Sequence, residues 1–288
     1  MTEKAALDVT RNRQKSRLRV TEALDVWKYH MSELAPLCLG TLENVRQSYL
    51  ALKDKGGADT ASVCAEACAC AFLCKRICEL LSERGEGLKV TDFLQHDGDD
   101  GDGLIAYMKN AVTDEAYRIF SAYEKGASVT YPSGFAAACE DVYYGRAGYC
   151  ILPYETSEDG TLSGFGKLIR KYELYPLMVC SVPSENGVTK LALLGKNPYS
   201  GRLRAAKGRR MLKLTFDSFS EGDPVGLLSA AKELGHRLLK TESAPVSWDS
   251  GRYALSFTFE ITGDATAFLL YIALEQPECT YKAIYTEV

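Results

Sequence analysis

Residues 211–288 carry the pattern that most restricts the fold of this chain, because their apolar positions change period several times. Alternating apolar and polar residues predict strands with one buried face, and apolar residues at helical spacing predict helices. In chain order the prediction is a strand, a helix, two strands, a helix and a strand: Met211–Asp217, Pro224–Leu234, Leu238–Val246, Arg252–Ile261, Asp264–Glu275 and Cys279–Tyr285. This βαββαβ order is that of the ferredoxin-like split unit, which we assign to residues 208–288.

Residues 104–200 alternate short apolar runs with helical patterns. The runs predict strands at Leu104–Tyr107, Ala127–Thr130, Gly148–Leu152, Leu177–Val182 and Val188–Leu194. Helices are predicted at Thr113–Glu124, Ser133–Val142 and Thr161–Tyr172. Strands separated by helices of this length indicate a largely parallel sheet with helices on its faces, so this segment is predicted to be an α/β domain.

Residues 1–95 show a helical pattern almost throughout, with helices predicted at 21–35, at 38–55 and in the cysteine-rich segment that follows. A basic run at 11–19 precedes them. It is typical of a solvated helix face, with anion binding as the alternative. Residues 96–103 are rich in Asp and Gly, but neither possible register supplies the ligands of an EF-hand calcium loop. The sequence therefore predicts a multidomain chain, with a helical domain at 1–95 and an acidic linker at 96–103.

The segment from Ala61 to Leu81 contains five cysteines and neither glycine nor proline, and it is predicted to be a helix. At helical spacing the five thiols occupy an arc of roughly 160°. Metal and iron–sulfur sites usually gather their ligands from loops with C-x-x-C spacing, which is missing here. We therefore interpret these cysteines as small apolar residues on a packed helix face, with metal binding as the alternative. The five are Cys64, Cys68, Cys70, Cys74 and Cys78.

Composition and charge exclude several classes of protein. The 288 residues include 34 basic and 38 acidic side chains, for a net charge of −4, so a nucleic-acid-binding surface is not expected. No apolar run is long enough to span a membrane, and the N-terminal residues are not those of a signal peptide. The predicted location is therefore the cytoplasm, where thiols stay reduced. Nucleotide-binding glycine motifs are missing from the sequence, so no cofactor is predicted. No metal is predicted either, because the cysteine spacing and the acidic segment do not fit a metal site.

Two stretches in residues 104–200 resemble the prephenate dehydratase family. Gly148–Gly160 (GYCILPYETSEDG) is similar to the family segment A-D-Y-G-V-L-P-I-E-N-S-x-x-G, and Gly187–Gly195 is similar to its N-x-T-R-F segment. The C-terminal unit resembles the regulatory ACT domain of the same enzymes, with Asp223–Leu228 at P-G-A-L and Glu242–Pro245 at E-S-R-P. The four motifs occur in the family's order over residues 104–288.

The resemblance implies a lobe of the periplasmic-binding-protein type and the chemistry of phenylalanine synthesis. The family converts prephenate to phenylpyruvate, losing water and carbon dioxide, in a cleft between two lobes. Such a site must bind two carboxylates and help a hydroxyl leave as water. The resemblance puts Thr189 at the position of the catalytic threonine and Lys190 where the family has Arg. Four more residues would belong to the same site: Glu155, Thr156, Ser157 and Thr113.

The resemblance also implies partners. The ACT-like motifs would bind an aromatic amino acid as effector, through Gly226, Leu227, Leu228, Glu242, Ser243 and Pro245. ACT units commonly pair, so a homodimer is expected. Residues 1–90 occupy the place of a chorismate mutase domain in the bifunctional enzymes, which is an analogy of domain order alone.

Departures from the family motifs leave two functions open. Thr156 stands where the family has Asn, and Lys190 keeps a charge but loses the bidentate fork of Arg. Only a few residues separate Val182 from Val188, where the family places most of its second lobe. Thr189 and Lys190 could equally be a strand start and a surface charge. The chain is thus predicted to be a divergent dehydratase with weak or lost activity or, alternatively, a non-catalytic protein that binds a prephenate-like carboxylate or an aromatic amino acid.

Overall fold

The computed structural model describes residues 60–94, 103–124, 126–184, 187–198, 200, 203, 207–217, 223–245 and 253–288. The helices predicted before residue 60, nearly all of the acidic linker and the turn at 248–251 lie outside these residues. Residues 1–59, which are most of the segment in the position of a chorismate mutase domain, also lie outside the described residues. The division into separately folding domains, with boundaries near residues 100 and 205, stays a prediction.

The described elements follow the predicted order. The helices are α1 (Thr60–Glu83), α2 (Ala111–Ser121), α3 (Phe135–Tyr143), α4 (Ser163–Lys171), α5 (Asp223–Glu233) and α6 (Thr266–Glu275), with a short 3-10 helix at Val90–Asp92. The strands are β1 (Leu104–Ala106), β2 (Ser128–Thr130), β3 (Tyr149–Thr156), β4 (Gly160–Thr161), β5 (Tyr175–Ser184), β6 (Gly187–Gly195), β7 (Arg209–Phe216), β8 (Arg237–Pro245), β9 (Tyr253–Glu260) and β10 (Cys279–Glu287). Within the described ranges, helices long and apolar enough to cross a membrane are absent.

The residues cluster in two compact units. The first comprises residues 1–93, 215–256 and 262–280, and the second comprises 94–214, 257–261 and 281–288. Strands β7, β9 and β10 contribute residues to both units. The C-terminal strands are hydrogen-bonded in the order β10-β7-β9-β8. With α5 after β7 and α6 after β9, this order confirms the ferredoxin-like prediction for the C-terminal segment.

In the second unit, the strands are hydrogen-bonded in the order β2-β1-β3-β6-β5-β10. Strand β1 is parallel to β2 and β3, and β10 is parallel to β5, whereas β6 is antiparallel to both β3 and β5. The expectation of a largely parallel sheet is therefore wrong for β6. Ser184 at the end of β5 pairs with Gly187 at the start of β6, and a connection of two residues can join only antiparallel strands.

Helices cover both faces of this sheet. On one face, α2 packs against strand residues that include Ile151, Cys180 and Leu191. On the other face, α3 and α4 pack against a second set that includes Val179 and Ala192. Side chains alternate along a strand, so the neighbours Val179 and Cys180 belong to different cores. We call these two sides of the sheet the α2 face and the α3/α4 face.

In the first unit, the cysteine-rich helix α1 packs against α5 and α6. Cys70 and Cys74 are 3% and 0% exposed, which confirms the apolar interpretation for these two residues. Burial raises the pKa of the Cys74 thiol well above its ordinary value, and the neighbouring Cys70 and Cys78 raise it further. Cys64, Cys68 and Cys78 are half-buried. The described cysteines form no disulfide, and clusters of metal-ligand type are missing from the same residues.

Candidate functional site

The predicted dehydratase residues meet where β3 ends and β6 begins. Glu155 pairs with Lys190, and Thr156 pairs with Thr189. The register shifts between Pro153 and Glu155, which marks a bulge in β3. The strand pairing continues beyond Leu152, where the predicted strand ends, so β3 is an eight-residue strand that reaches Thr156.

The strand register divides these four residues between the two faces of the sheet. Residues directly opposite each other in an antiparallel pair share a face, and successive residues alternate. Thr189 is two residues from Leu191, so the Thr156–Thr189 pair belongs to the α2 face. Lys190 is two residues from Ala192, so the Glu155–Lys190 pair belongs to the α3/α4 face. The predicted catalytic threonine and the predicted carboxylate-binding lysine are therefore on opposite sides of one sheet.

On the α2 face, the threonine hydroxyls are engaged locally. Thr189 Oγ1 lies 3.1 Å from Ser184 Oγ. The Ser184 hydroxyl donates to the Gly187 carbonyl at 3.3 Å, which leaves Thr189 as the donor in the first contact. Thr156 Oγ1 accepts a hydrogen bond from the Asp159 amide at 2.9 Å. These contacts stabilise the β5–β6 turn and the short loop before β4.

Ser157 connects the end of β3 to the start of β6. Its amide donates to the Val188 carbonyl at 2.9 Å, and its hydroxyl accepts from the Val188 amide at 3.1 Å. Gly187 beside it has a φ of +100°, and a Cβ at this position would collide with the Ser157 hydroxyl. Gly187 is thus required both by its backbone conformation and by the close approach of Ser157.

Thr113 lies in the first turn of α2 and is 1% exposed. Its hydroxyl donates to the Met108 carbonyl at 2.7 Å and accepts from the Asn110 amide at 3.1 Å. The Asn110 side chain in turn accepts from the amides of Val112 and Thr113, each at 3.0 Å. This is a reciprocal capping box that starts the helix. Each of these hydrogen bonds serves the start of helix α2 rather than the β3–β6 residues.

On the α3/α4 face, Lys190 is part of a row of four charged side chains. Its ammonium group binds Glu287 Oε1 and lies 3.7 Å from Glu155 Oε2. Arg209 Nη2 donates to Glu287 Oε2 at 2.6 Å. We call Glu155, Lys190, Glu287 and Arg209 the carboxylate row. The side chain of Glu287 is 11% exposed and that of Lys190 is 35% exposed, so the row is partly shielded from water.

Aromatic residues continue the carboxylate row. Lys213 Nζ donates to the Tyr154 hydroxyl at 2.9 Å and lies 5.2 Å from the centre of that ring, so the contact is with the oxygen rather than the ring face. Tyr285 lies close to both Tyr154 and Glu287, and burial raises the pKa of its phenol well above the ordinary value. The α3/α4 face thus combines cations, carboxylates and phenols at the end of β3.

Sequence reasoning missed Glu287, Arg209 and Lys213. All three are far from Lys190 along the chain, and the motifs that suggested Lys190 do not include them. Strand β10 brings Glu287 beside β5 in parallel register, opposite Val179. The only available signal was the alternation of charged and apolar residues in Arg209–Phe216, which places Arg209 and Lys213 on one face of their strand.

The predicted effector residues lie in the first unit. Gly226 and Leu227 are buried in α5, and Leu228 is half-buried. A Cβ at Gly226 would lie 3.6 Å from Ala67 Cβ, so this glycine faces helix α1. Glu242 is on β8, where Lys240 Nζ contacts its Oε1 at 3.0 Å, and Ser243 is exposed on the same strand. Pro245 ends β8. Their role in binding an effector stays a prediction.

Solved structures of other proteins share this fold. The prephenate dehydratase of Streptococcus mutans is 17% identical, the alignment covers 64% of this chain and 98% of that one, and the TM-score is 0.51. The chain has the fold of a prephenate dehydratase. This supports the predicted combination of an α/β lobe with a C-terminal βαββαβ segment, which the strand order shows directly.

Two further solved structures align over similar shares of the chain. The prephenate dehydratase of Arthrobacter aurescens, determined in complex with L-Phe, is 13% identical with a TM-score of 0.48, covering 64% of this chain and 90% of that one. The quorum-quenching acylase GqqA is 17% identical with a TM-score of 0.47, covering 65% and 96%. Protein-family models and curated protein sequences give no match to this chain.

Proposed function

We propose that this chain is a carboxylate-binding relative of the prephenate dehydratases that has lost efficient dehydration. Its ligand would be a prephenate-like ring carboxylate, bound through Lys190 on the α3/α4 face. The observation that carries the proposal is the two-residue connection from β5 to β6, at the interval where the family places most of its second lobe. A ligand held by Lys190 would then have no second lobe to close over it.

Dehydration requires more than a bound carboxylate. A group that protonates or orients the leaving hydroxyl must lie within hydrogen-bond distance of it, while the carboxylates are held in place. The Thr189 hydroxyl instead contacts Ser184 at the β5–β6 turn. Since general acid–base assistance contributes about 10²–10⁴-fold, losing this alignment is enough to make turnover slow.

The β5–β6 connection supports the same conclusion. In the family the interval between these two strands holds most of a second lobe, which closes over the substrate. Here Ser184 pairs with Gly187, and residues 185 and 186 alone connect the strands. A ligand at this edge would lack the wall that the family's second lobe provides, and bulk water would reach it.

Ligand binding itself remains supported by the charges on the α3/α4 face. Lys190, Arg209 and Lys213 bring three cations to the end of the sheet at which β3 finishes. Partial burial of Lys190 and Lys213 strengthens their attraction for an anion relative to an exposed surface lysine. The half-buried Tyr154 provides apolar ring surface beside Lys213. Such a surface suits a ring that carries a carboxylate.

The test measures binding and turnover in the same full-length protein. Isothermal titration calorimetry with prephenate is expected to show binding by the wild type and a loss of at least about tenfold in affinity for Lys190→Gln, because a hydrogen bond to a charged group is removed. An ultraviolet assay for phenylpyruvate is expected to show no turnover above that of a heat-denatured sample.

Thr189→Ala is the matched control, because it changes the neighbouring residue on the opposite face. Its affinity for prephenate is expected to equal that of the wild type. Phenylpyruvate formation that disappears in Thr189→Ala would show a working dehydratase and overturn the loss of catalysis. Wild-type protein that does not bind prephenate at all would overturn the proposed ligand class.

A further inference from the structure

Glu287 is held the way a bound carboxylate ligand would be. Its two oxygens have different partners, since Lys190 binds Oε1 and Arg209 binds Oε2. Charge-assisted hydrogen bonds to both oxygens of one carboxylate are among the stronger polar contacts in proteins. The Glu287 side chain is also the more shielded partner, at 11% exposed against 35% for Lys190 and 54% for Arg209.

The charges of the row balance, which affects how an anion can bind there. Two carboxylates, Glu155 and Glu287, face two cations, Lys190 and Arg209. An incoming carboxylate would therefore meet cations that are already paired, and it would be repelled by two negative groups. Binding requires that one internal carboxylate give up its position.

Of the two internal carboxylates, Glu287 is the one whose contacts a ligand could replace. Glu155 lies 3.7 Å from Lys190, whereas Glu287 bridges both Lys190 and Arg209. The backbone of Glu287 is anchored independently, since β10 pairs with β5 at Thr286 and Glu287. Its side chain can therefore rotate away without separating the two strands.

We propose that Glu287 is an internal competitor that occupies the carboxylate position of the ligand site formed by Lys190 and Arg209. This inference rests on the proposed function of the same face and identifies which residue limits ligand affinity there. The ligand is a small ring carboxylate whose carboxylate replaces that of Glu287. Its ring would then lie near the half-buried Tyr154, whose hydroxyl accepts a hydrogen bond from Lys213.

The experiment compares prephenate affinity in full-length wild type and Glu287→Gln by isothermal titration calorimetry. Glutamine keeps the size of the side chain and removes its charge, so Lys190 and Arg209 become available to the ligand. Affinity is expected to rise about fivefold, the effect of one partly shielded ion pair. Glu287→Asp keeps the charge but is too short to bridge both cations, so its affinity should lie between the other two.

Two controls separate this effect from a change in net charge or in folding. Glu115→Gln removes a carboxylate that pairs with Arg118 on helix α2, and it should leave affinity unchanged. The double variant Glu287→Gln with Lys190→Gln should lose the gain, since one of the two released cations is absent. Thermal unfolding of each variant confirms that the compared proteins are folded.

The outcomes distinguish the internal competitor from the proposed ligand class. Wild type that binds prephenate together with Glu287→Gln that binds no more tightly would overturn the competitor role and leave the proposed function intact. Equal gains in Glu287→Gln and Glu115→Gln would overturn it as well, because net charge would then explain both. If neither wild type nor Glu287→Gln binds prephenate, the proposed function fails and this inference fails with it.

Discussion

In the second unit, whether a residue is buried depends more on its place in the strand alternation than on its residue type. Cys180 is 0% exposed in the core beneath α2, and the next residue, Ser181, is exposed. Burial raises the pKa of the Cys180 thiol from 9.0 to about 12. The same alternation separates Thr189 from Lys190. A one-residue step along β5 or β6 therefore changes the chemistry available to a side chain.

The Cys180 pKa predicts how stability changes with pH. The folded state favours the neutral thiol, so this contribution is complete below pH 9 and is lost as the pH rises from 9 to 12. Relative to Cys180→Ala, the free energy of unfolding of the wild type should fall by roughly 1.4 kcal/mol per pH unit in that window. Urea denaturation at pH 8, 10 and 11 measures the difference.

Val179→Ala is the control for this measurement, because Val179 is a buried neighbour with no titratable group. Its destabilisation relative to wild type should stay constant over the same pH range. A constant difference between wild type and Cys180→Ala from pH 8 to 11 would contradict the raised pKa.

At the scale of elements, helix α1 covers the two helices of the βαββαβ segment. Its buried residues are small or apolar, and they include Ala67, Ala71 and Cys74. Small side chains allow helix backbones to approach closely, and Gly226 on α5 faces Val63 and Ala67 of α1. The cysteine and alanine content of α1 is thus explained by helix packing, where a thiol acts as a small apolar group.

Gly226→Ala tests whether this glycine is needed for packing or for an effector. The added methyl group would lie 3.5 Å from the Tyr271 hydroxyl and 3.6 Å from Ala67 Cβ, which are ordinary contacts. Because Ala is a better helix former than Gly, the free energy of unfolding should rise by about 0.5–1 kcal/mol in chemical denaturation. Gly226→Leu should be destabilised, since a larger side chain would overlap with α1.

The same variants address the predicted effector. If Gly226 contacts L-phenylalanine, millimolar L-phenylalanine should raise the melting temperature of the wild type and not that of a folded Gly226→Ala. A loss of stability in Gly226→Ala would contradict the expectation that the added methyl group makes only ordinary contacts. An equal shift in both proteins would remove Gly226 from the effector site.

At the scale of the whole molecule, β8 is the last strand in the sheet order of the described residues. Leu238 and Leu239 on this strand are 37% and 39% exposed. An exposed edge with apolar side chains is a template for pairing with a second copy, in line with the homodimer that the ACT resemblance implies.

Multi-angle light scattering tests the homodimer directly. The expected mass is about twice the 31.7 kDa of one chain. Leu239→Lys should shift the protein towards the monomer, because lysine on an edge strand opposes pairing. Tyr144→Lys changes a residue that is 65% exposed on the other unit and should leave the mass unchanged. A wild-type mass near that of one chain would contradict the prediction.

Much of the fold could be predicted from local pattern. The βαββαβ segment follows from apolar periodicity, and the strands and helices of residues 104–200 follow from short apolar runs that alternate with helical patterns. The position of Thr189 and Lys190 on opposite faces could also be predicted from the sequence. Both residues fall in the predicted strand Val188–Leu194, and neighbouring residues of a strand lie on opposite faces. The antiparallel direction of β6 followed from the short connection to β5. Motif similarity placed all four residues in one cleft because it compares residue order and carries no information on faces.

The sequence by itself determined the order of elements, the ferredoxin-like topology and the resemblance of the β3 and β6 segments to prephenate dehydratases, because these depend on nearby residues. The tertiary structure decided which charges meet. Glu287 reaches Lys190 because β10 pairs in parallel with β5. Arg209 reaches the same place because β7 is the next strand after β10 in the sheet. Contacts between residues so far apart depend on strand order and register, which local periodicity does not specify.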